Sequence, residues 1–244
     1  VIFEGCQSDL HGDDWSQALA WRFAQMSVQA YRSCLMLPKE IAAYWRADGC
    51  ERITHGSQSM LVLWDQQDVV MAFEGSNPTA EDWIANADRS TGQMGQYRVH
   101  NGFLREYLKL ARPLTELVED NHLRDRRIHV TGHSQGGAIA NIAACQRTVR
   151  QCYTFGTPKT FKDRRPHPAI SGAWYHWHSN DGVPHLPVFR GFQHLSRLCY
   201  VRQKKGAIVE PSFWHLAWLK FTSYSLGDTF SDHAAQSYAE ALVI

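Results

Sequence analysis

The sequence predicts an α/β fold: a mixed β-sheet with a parallel centre, covered by helices. Three observations lead there. "SMLVLWDQQDVVMAFEG" reads as two apolar strands joined by a polar tight turn, a hairpin signature. Further along, "RIHVTG" and "QCYTFGTP" are strand-like and enclose the Ala-rich helical stretch "QGGAIANIAACQRTV"; strand, helix and strand in that order form a parallel crossover. Finally, 244 residues with 44% hydrophobic and 20% charged side chains describe an ordinary globular chain with material for a sizeable core. One domain over residues 1–244 is expected.

The elements follow in chain order. Trp15, Leu19, Phe23, Met26 and Tyr31 recur at helical spacing and predict a helix over 14–32. Pro38 is a good first-turn residue for a short second helix. The hairpin occupies residues 59–75. "FLREYLKLARPLTELVEDNHL" is a helix with a kink or break expected at Pro113. The strand, helix and strand of the crossover come next, then strands in "AWYHWHSND" and "RLCYVRQ". A capped helix start is expected from Ser231 in "SDHAAQSYAEAL". Neither repeats nor low-complexity tracts interrupt the pattern.

Several function classes are disfavoured. The formal net charge of +1 gives nucleic acid no electrostatic footprint. No apolar run approaches the ~20 residues of a spanning helix, and "VIFEGCQSDLHGDD" has no signal-peptide character; a start at Val1 still leaves room for a removed leader and secretion. There is no phosphate-cradling or dinucleotide glycine motif and no CxxC pair, so no cofactor is expected. His176 and His178 lie on one side of a strand without an evident third ligand, so no metal site is expected either. Cys145 and Cys152, in apolar runs, read as buried free thiols.

Chemistry concentrates in "IHVTGHSQGGAIANIA", which begins at Ile128. A strand-to-helix junction needs one glycine, yet Ser134 stands among Gly132, Gly136 and Gly137. A serine hydroxyl is a weak nucleophile at neutral pH. It needs a base to take its proton and donors to hold the oxyanion. Gly-x-Ser-x-Gly between a strand and a helix makes a sharp turn that projects the serine, and the following backbone N–H, that of Gln135, faces the developing charge at a helix N-terminus. An acid and then a histidine are expected downstream. Asp181, in "SNDGVPHLP", sits where a strand ends, the region in which open α/β sheets collect functional groups. His233, in "SDHAAQSYAEAL", stands just before or at a helix start. Alone, Asp181 also reads as a turn residue capping its own loop, and His233 as one of 13 ordinary histidines.

The chain resembles the class 3 lipases, the family of the fungal triacylglycerol lipases. "AFEGSNPTAEDWIANAD" resembles the family's oxyanion loop and lid, and "VHNGFLREY" the stretch after the lid. "VTGHSQGGAIA" resembles the nucleophile elbow and "TFGTPKTF" the next strand and loop. "NDGVPHLP" and "DHAAQSYAEAL" resemble the acid loop and the histidine segment. These stand in the family's order from about residue 60 onward. The resemblance implies an α/β-hydrolase fold, Ser134 as nucleophile, His233 as base, Asp181 as the group that orients it, and Ser76 with Gln135 as backbone oxyanion donors. Two departures stand out: Gln135 where Leu is common, which suggests a more polar acyl pocket, and Glu74 where Arg is common, for which the sequence alone offers no account.

The implied lid runs over residues 77–90, with Trp83 and Ile84 placed to touch the site or a lipid surface; a fixed surface helix is the alternative. "SFWHLAWLKFTSYSL" concentrates aromatic residues before His233, either as core or as an acyl-pocket wall or membrane contact. The expected function is hydrolysis of carboxylic esters of lipids, with a lipid ester as substrate and a lipid or membrane interface as partner. A phospholipase A, an esterase of polar substrates and a non-catalytic lipid-binding domain are the alternatives.

Overall fold

The computed structural model describes residues 1–75, 90–146, 148–162, 172–178, 181–187, 191–202, 206–216 and 233–243. Its main sheet has eight strands in the order β1-β2-β3-β6-β7-β8-β9-β10. These are β1 (Gly49–His55), β2 (Gln58–Trp64), β3 (Asp68–Phe73), β6 (Arg127–His133), β7 (Gln151–Phe155), β8 (Ala173–His178), β9 (Arg197–Arg202) and β10 (Gly206–Val209). The five strands from β3 to β9 run parallel. The β1–β2–β3 meander and the β9–β10 hairpin add antiparallel edges. A separate hairpin pairs β4 (Thr91–Met94) with β5 (Tyr97–His100).

Both faces of the sheet are covered, which is why its central strands are apolar without alternation. Met60, Val62, Val69, Met71 and Phe73 point into one core, with residues of helices α3 (Asn101–Asp120) and α4 (Gln135–Gln146). Their chain neighbours Leu61, Leu63, Val70 and Ala72 point into the other. That second core holds the N-terminal segment and helices α1 (Gln17–Gln29), α2 (Pro38–Trp45) and α5 (Ala235–Ala241). The period-2 geometry of a strand divides one apolar run between two helix layers.

The expected helices form with shifted ends. Ser16 caps α1 by accepting the Leu19 N–H at 3.3 Å, and Pro38 opens α2. Of the kink or break expected at Pro113, the break does not occur: α3 runs from Asn101 to Asp120 with Pro113 inside it. Proline forfeits one backbone hydrogen bond there. Burial of Phe103, Leu104, Tyr107, Leu110, Leu114, Leu117 and Val118 along one face outweighs that loss. The capped start expected at Ser231 is also corrected, because α5 begins at Ala235 and has no side-chain cap. All six cysteines carry free thiols, with Cys152 buried and Cys145 partly so. No helix among the described residues is long and apolar enough to cross a membrane.

Candidate active site

The parallel strands end along one edge, with Phe73 level with Gly132 and Phe155 level with His176. Gly75, Ser134, Gly156 and Asp181 all lie just beyond those ends, where side chains from separate strands converge. Ser134 occupies the tight turn between β6 and α4 at φ +55°, a left-handed conformation rare outside glycine. Its N–H donates to the Phe155 carbonyl at 2.9 Å. The glycines around it are demanded by space. A Cβ on Gly132 would lie 2.4 Å from the Gly136 backbone, one on Gly136 2.1 Å from the Phe73 carbonyl oxygen, and one on Gly137 2.0 Å from Thr157 Oγ1. The elbow is pressed against β3 and the loop after β7, so only hydrogen atoms fit.

Ser134, His233 and Asp181 meet in one hydrogen-bonded chain. His233 Nε2 lies 2.9 Å from Ser134 Oγ, and His233 Nδ1 lies 2.8 Å from Asp181 Oδ2. Asp181 is buried. Its Oδ1 accepts the Val183 N–H at 2.9 Å, and its Oδ2 also accepts the Tyr238 hydroxyl at 2.6 Å. Tyr238 in turn accepts the His178 N–H at 3.0 Å, tying α5 to the end of β8. A carboxylate can only accept, so His233 carries its proton on Nδ1 and turns the Nε2 lone pair toward the serine. This is the arrangement in which a histidine takes a proton from a hydroxyl.

Four supporting residues were not singled out from the sequence. Gly156 sits at φ +56°, and a Cβ there would lie 2.8 Å from Asp181 Oδ2 and 3.0 Å from His233 Nδ1. Tyr238 braces the acid. His133 Nε2 contacts the His233 carbonyl at 2.5 Å, and His133 Nδ1 contacts the Tyr31 hydroxyl at 2.7 Å. Of these, only His133 carried a sequence signal, as a histidine standing directly before Ser134 in the strand-to-helix turn.

The two departures acquire surroundings. The Gln135 side-chain carbonyl accepts from Gln58 Nε2 at 3.3 Å, so the amide is engaged by β2. Glu74 is buried; its Oε1 accepts the Arg32 N–H at 2.9 Å and its Oε2 pairs with Arg32 Nε at 2.8 Å. The carboxylate thus fastens the segment after α1 to the end of β3. Ser76, Trp83 and Ile84 lie outside the described residues, as do Trp218, Phe221 and Tyr224. Phe213 and Trp214 are 75% and 79% exposed, so core packing does not hold for Trp214. His176 and His178 do not share a ligand site. His176 donates from Nδ1 to the Thr154 carbonyl at 3.0 Å and accepts Trp15 Nε1–H on Nε2 at 3.0 Å. No group of three metal-ligating side chains occurs among the described residues.

The family model for lipase (class 3) matches residues 70–191, half of the chain. The chain belongs to the class 3 lipase family. It is 28% identical over 144 residues to the secreted mono- and diacylglycerol lipase 1 of Fusarium solani, covering 54% of this chain and 43% of the relative. It is 27% identical over 161 residues to the secreted mono- and diacylglycerol lipase MDL4 of Malassezia globosa, covering 54% of this chain and 51% of the relative. The chain therefore spans about half the length of these curated relatives. Among solved structures, a lipase from Rhizopus microsporus var. chinensis superposes with a TM-score of 0.67 at 20% identity, over 89% of this chain and 85% of that one. The family's α/β-hydrolase fold is the fold of this chain.

Proposed function

We propose that this chain, as a single α/β-hydrolase domain, hydrolyses carboxylic esters of lipids through an acyl-enzyme. The supporting observation is the unbroken path from Ser134 Oγ to His233 Nε2 at 2.9 Å and from His233 Nδ1 to Asp181 Oδ2 at 2.8 Å. Ser134 attacks the ester carbonyl as His233 takes its proton, and Asp181 orients and stabilises the imidazolium. The backbone N–H groups of Ser76 and Gln135 hold the oxyanion, Gln135 being the first residue of α4, where helix N–H groups point outward. His233 returns the proton to the leaving alcohol, then activates the water that releases the fatty acid.

Family membership supports a lipid ester as substrate. The relatives' names, mono- and diacylglycerol lipase, support partial glycerides as the first substrates to test, and their description as secreted supports an extracellular place of work. The exposed Phe213 and Trp214, with ring centroids 5.5 Å apart, favour contact with a lipid surface, since aromatic rings suit such interfaces. Trp83 and Ile84 complete this reading as the apolar side chains of a lid over residues 77–90.

The test is a hydrolysis panel of short soluble esters, mono- and diacylglycerol, emulsified triacylglycerol and phospholipid vesicles, with Ser134→Ala beside the native chain. Ser134-dependent release of acid from acylglycerols is expected. Preference for vesicles would move the assignment to a phospholipase. Equal turnover by Ser134→Ala, or no labelling by a fluorophosphonate probe, would refute the serine-hydrolase reading.

A further inference from the structure

The side chain of His233 is held by Asp181, but a rigid base also needs its backbone held. His233 reaches the site on a segment separate from the sheet, two residues before α5. Its carbonyl is met by His133 Nε2. A carbonyl can only accept, so His133 carries its proton on Nε2, and its Nδ1 must accept. The Tyr31 hydroxyl, 2.7 Å away, is therefore the donor. Each link has one direction: Tyr31 O–H to His133 Nδ1, His133 Nε2–H to the His233 carbonyl. Burial and the neighbouring His233 hold His133 well below its ordinary pKa, and burial first, with the Glu74 charge second, pushes the Tyr31 phenol up. Both groups stay neutral, as these two hydrogen bonds require.

The surroundings hold this chain in place. Gly75 has no Cβ where one would lie 2.3 Å from the Tyr31 hydroxyl and 2.8 Å from the His133 carbonyl oxygen; a side chain there would displace the phenol. The buried Glu74 grips both the N–H and the guanidinium of Arg32, the residue after Tyr31. A role for Glu74, unaccounted for in the sequence, thus emerges: it anchors the backbone that carries Tyr31. His133 itself is locked in β6 immediately before the nucleophile.

We propose that Tyr31 and His133 are positioning residues for the catalytic base, clamping the backbone of His233 to the nucleophile elbow so that Nε2 meets Ser134 Oγ at bonding distance. This rests on the ester-hydrolase reading above. Neither residue contacts the reacting atoms in this proposal; both act through the placement of His233. A base displaced by a fraction of an ångström loses catalysis without losing substrate binding.

The experiment measures kcat and KM on a short soluble ester, melting temperature, and the rate of fluorophosphonate labelling for four variants. Ser134→Ala tests only the parent reading. Tyr31→Phe removes one oxygen and His133→Leu removes the donor to the His233 carbonyl, while His133→Gln keeps a side-chain N–H able to reach it. Tyr31→Phe and His133→Leu are expected to lower kcat and labelling rate by about 10- to 100-fold, with KM within about twofold, and His133→Gln to recover most of the loss. If His133→Leu does not fold, Tyr31→Phe alone decides. Native kcat and labelling rate in Tyr31→Phe would overturn the proposal, as would a His133→Gln variant that folds and is as slow as a folded His133→Leu. If the native chain turns over no ester but reacts with the probe, the labelling rates carry the same comparison.

Discussion

Replacing Gly156 with alanine places a methyl group against the bond between His233 and Asp181. The added carbon would stand 2.8 Å from Asp181 Oδ2 and 3.0 Å from His233 Nδ1, where ordinary contact begins near 3.4 Å. Relief requires the acid and the base to retreat by about 0.4–0.6 Å, which lengthens their 2.8 Å hydrogen bond to about 3.3 Å, beyond the usual range. The expected fall in kcat is about 10- to 100-fold, with KM little changed. A second effect is separable. At φ +56° a Cβ costs about 1–2 kcal/mol, or roughly 2–8 °C of melting temperature in a chain of this length. Gly56→Ala provides the control, because Gly56 has φ +61° and nothing within 4 Å of its added Cβ. It should lose the same stability and keep its kcat. Steady-state kinetics on a soluble ester and thermal melts of both variants make the comparison. If Gly156→Ala kept kcat within twofold of native while melting like Gly56→Ala, the steric reasoning would be refuted.

Tyr238→Phe removes the 2.6 Å donor to Asp181 Oδ2 and should cost about 1–3 kcal/mol of stability, with kcat down about tenfold; denaturant curves and kinetics that match the native chain would refute it. Burial lowers the pKa of His176 to about 3 and of His194 to about 4, from 6.5. Both therefore stay neutral in the fold while the unfolded chain takes up protons below 6.5, so stability should be full above that pH and fall toward pH 4. At pH 5 the loss is about 2 kcal/mol for each, roughly 4 together; denaturant midpoints at pH 7 and pH 5 measure it, and an unchanged midpoint would count against it.

The parallel centre of the sheet was legible because its strands are apolar on both faces, a pattern that short runs such as "DVVMAF" carry in themselves. The edges were not. β1 (Gly49–His55) is half-exposed along its length, and "GCERITH" has neither alternation nor an apolar run. β10 and the two strands of the separate β4–β5 hairpin are only four residues each. Pro113 did not break its helix because a local preference is outweighed by the seven buried side chains along one face. At the candidate site, strand ends, turn glycines and chain order leave traces in the sequence that point to Ser134, Asp181 and His233, which the structure brings within hydrogen-bonding distance of one another. Gly156 could not, since its requirement is a contact with Asp181 and His233, 25 and 77 residues away along the chain.

The supporting residues cluster around two of the three members of the proposed triad for a physical reason. Ser134 follows β6 directly, and its position is set by a strand paired on both sides and by a turn too crowded for a Cβ at Gly132, Gly136 or Gly137. The sheet therefore does most to place the proposed nucleophile. Asp181 lies past the end of β8, and His233 belongs to no strand. Their placement depends on hydrogen bonds from outside the triad: Tyr238 and Val183 to the acid, and His133 to the backbone of the base. Such a bond contributes about 1 kcal/mol to stability, and up to about 3 kcal/mol where the acceptor is a carboxylate, while an error of an ångström at the base costs about a hundredfold in rate. Substitutions at Tyr31 and His133 should therefore depress turnover at nearly unchanged KM, a kcat loss that substitutions of packing residues in the two cores should not show.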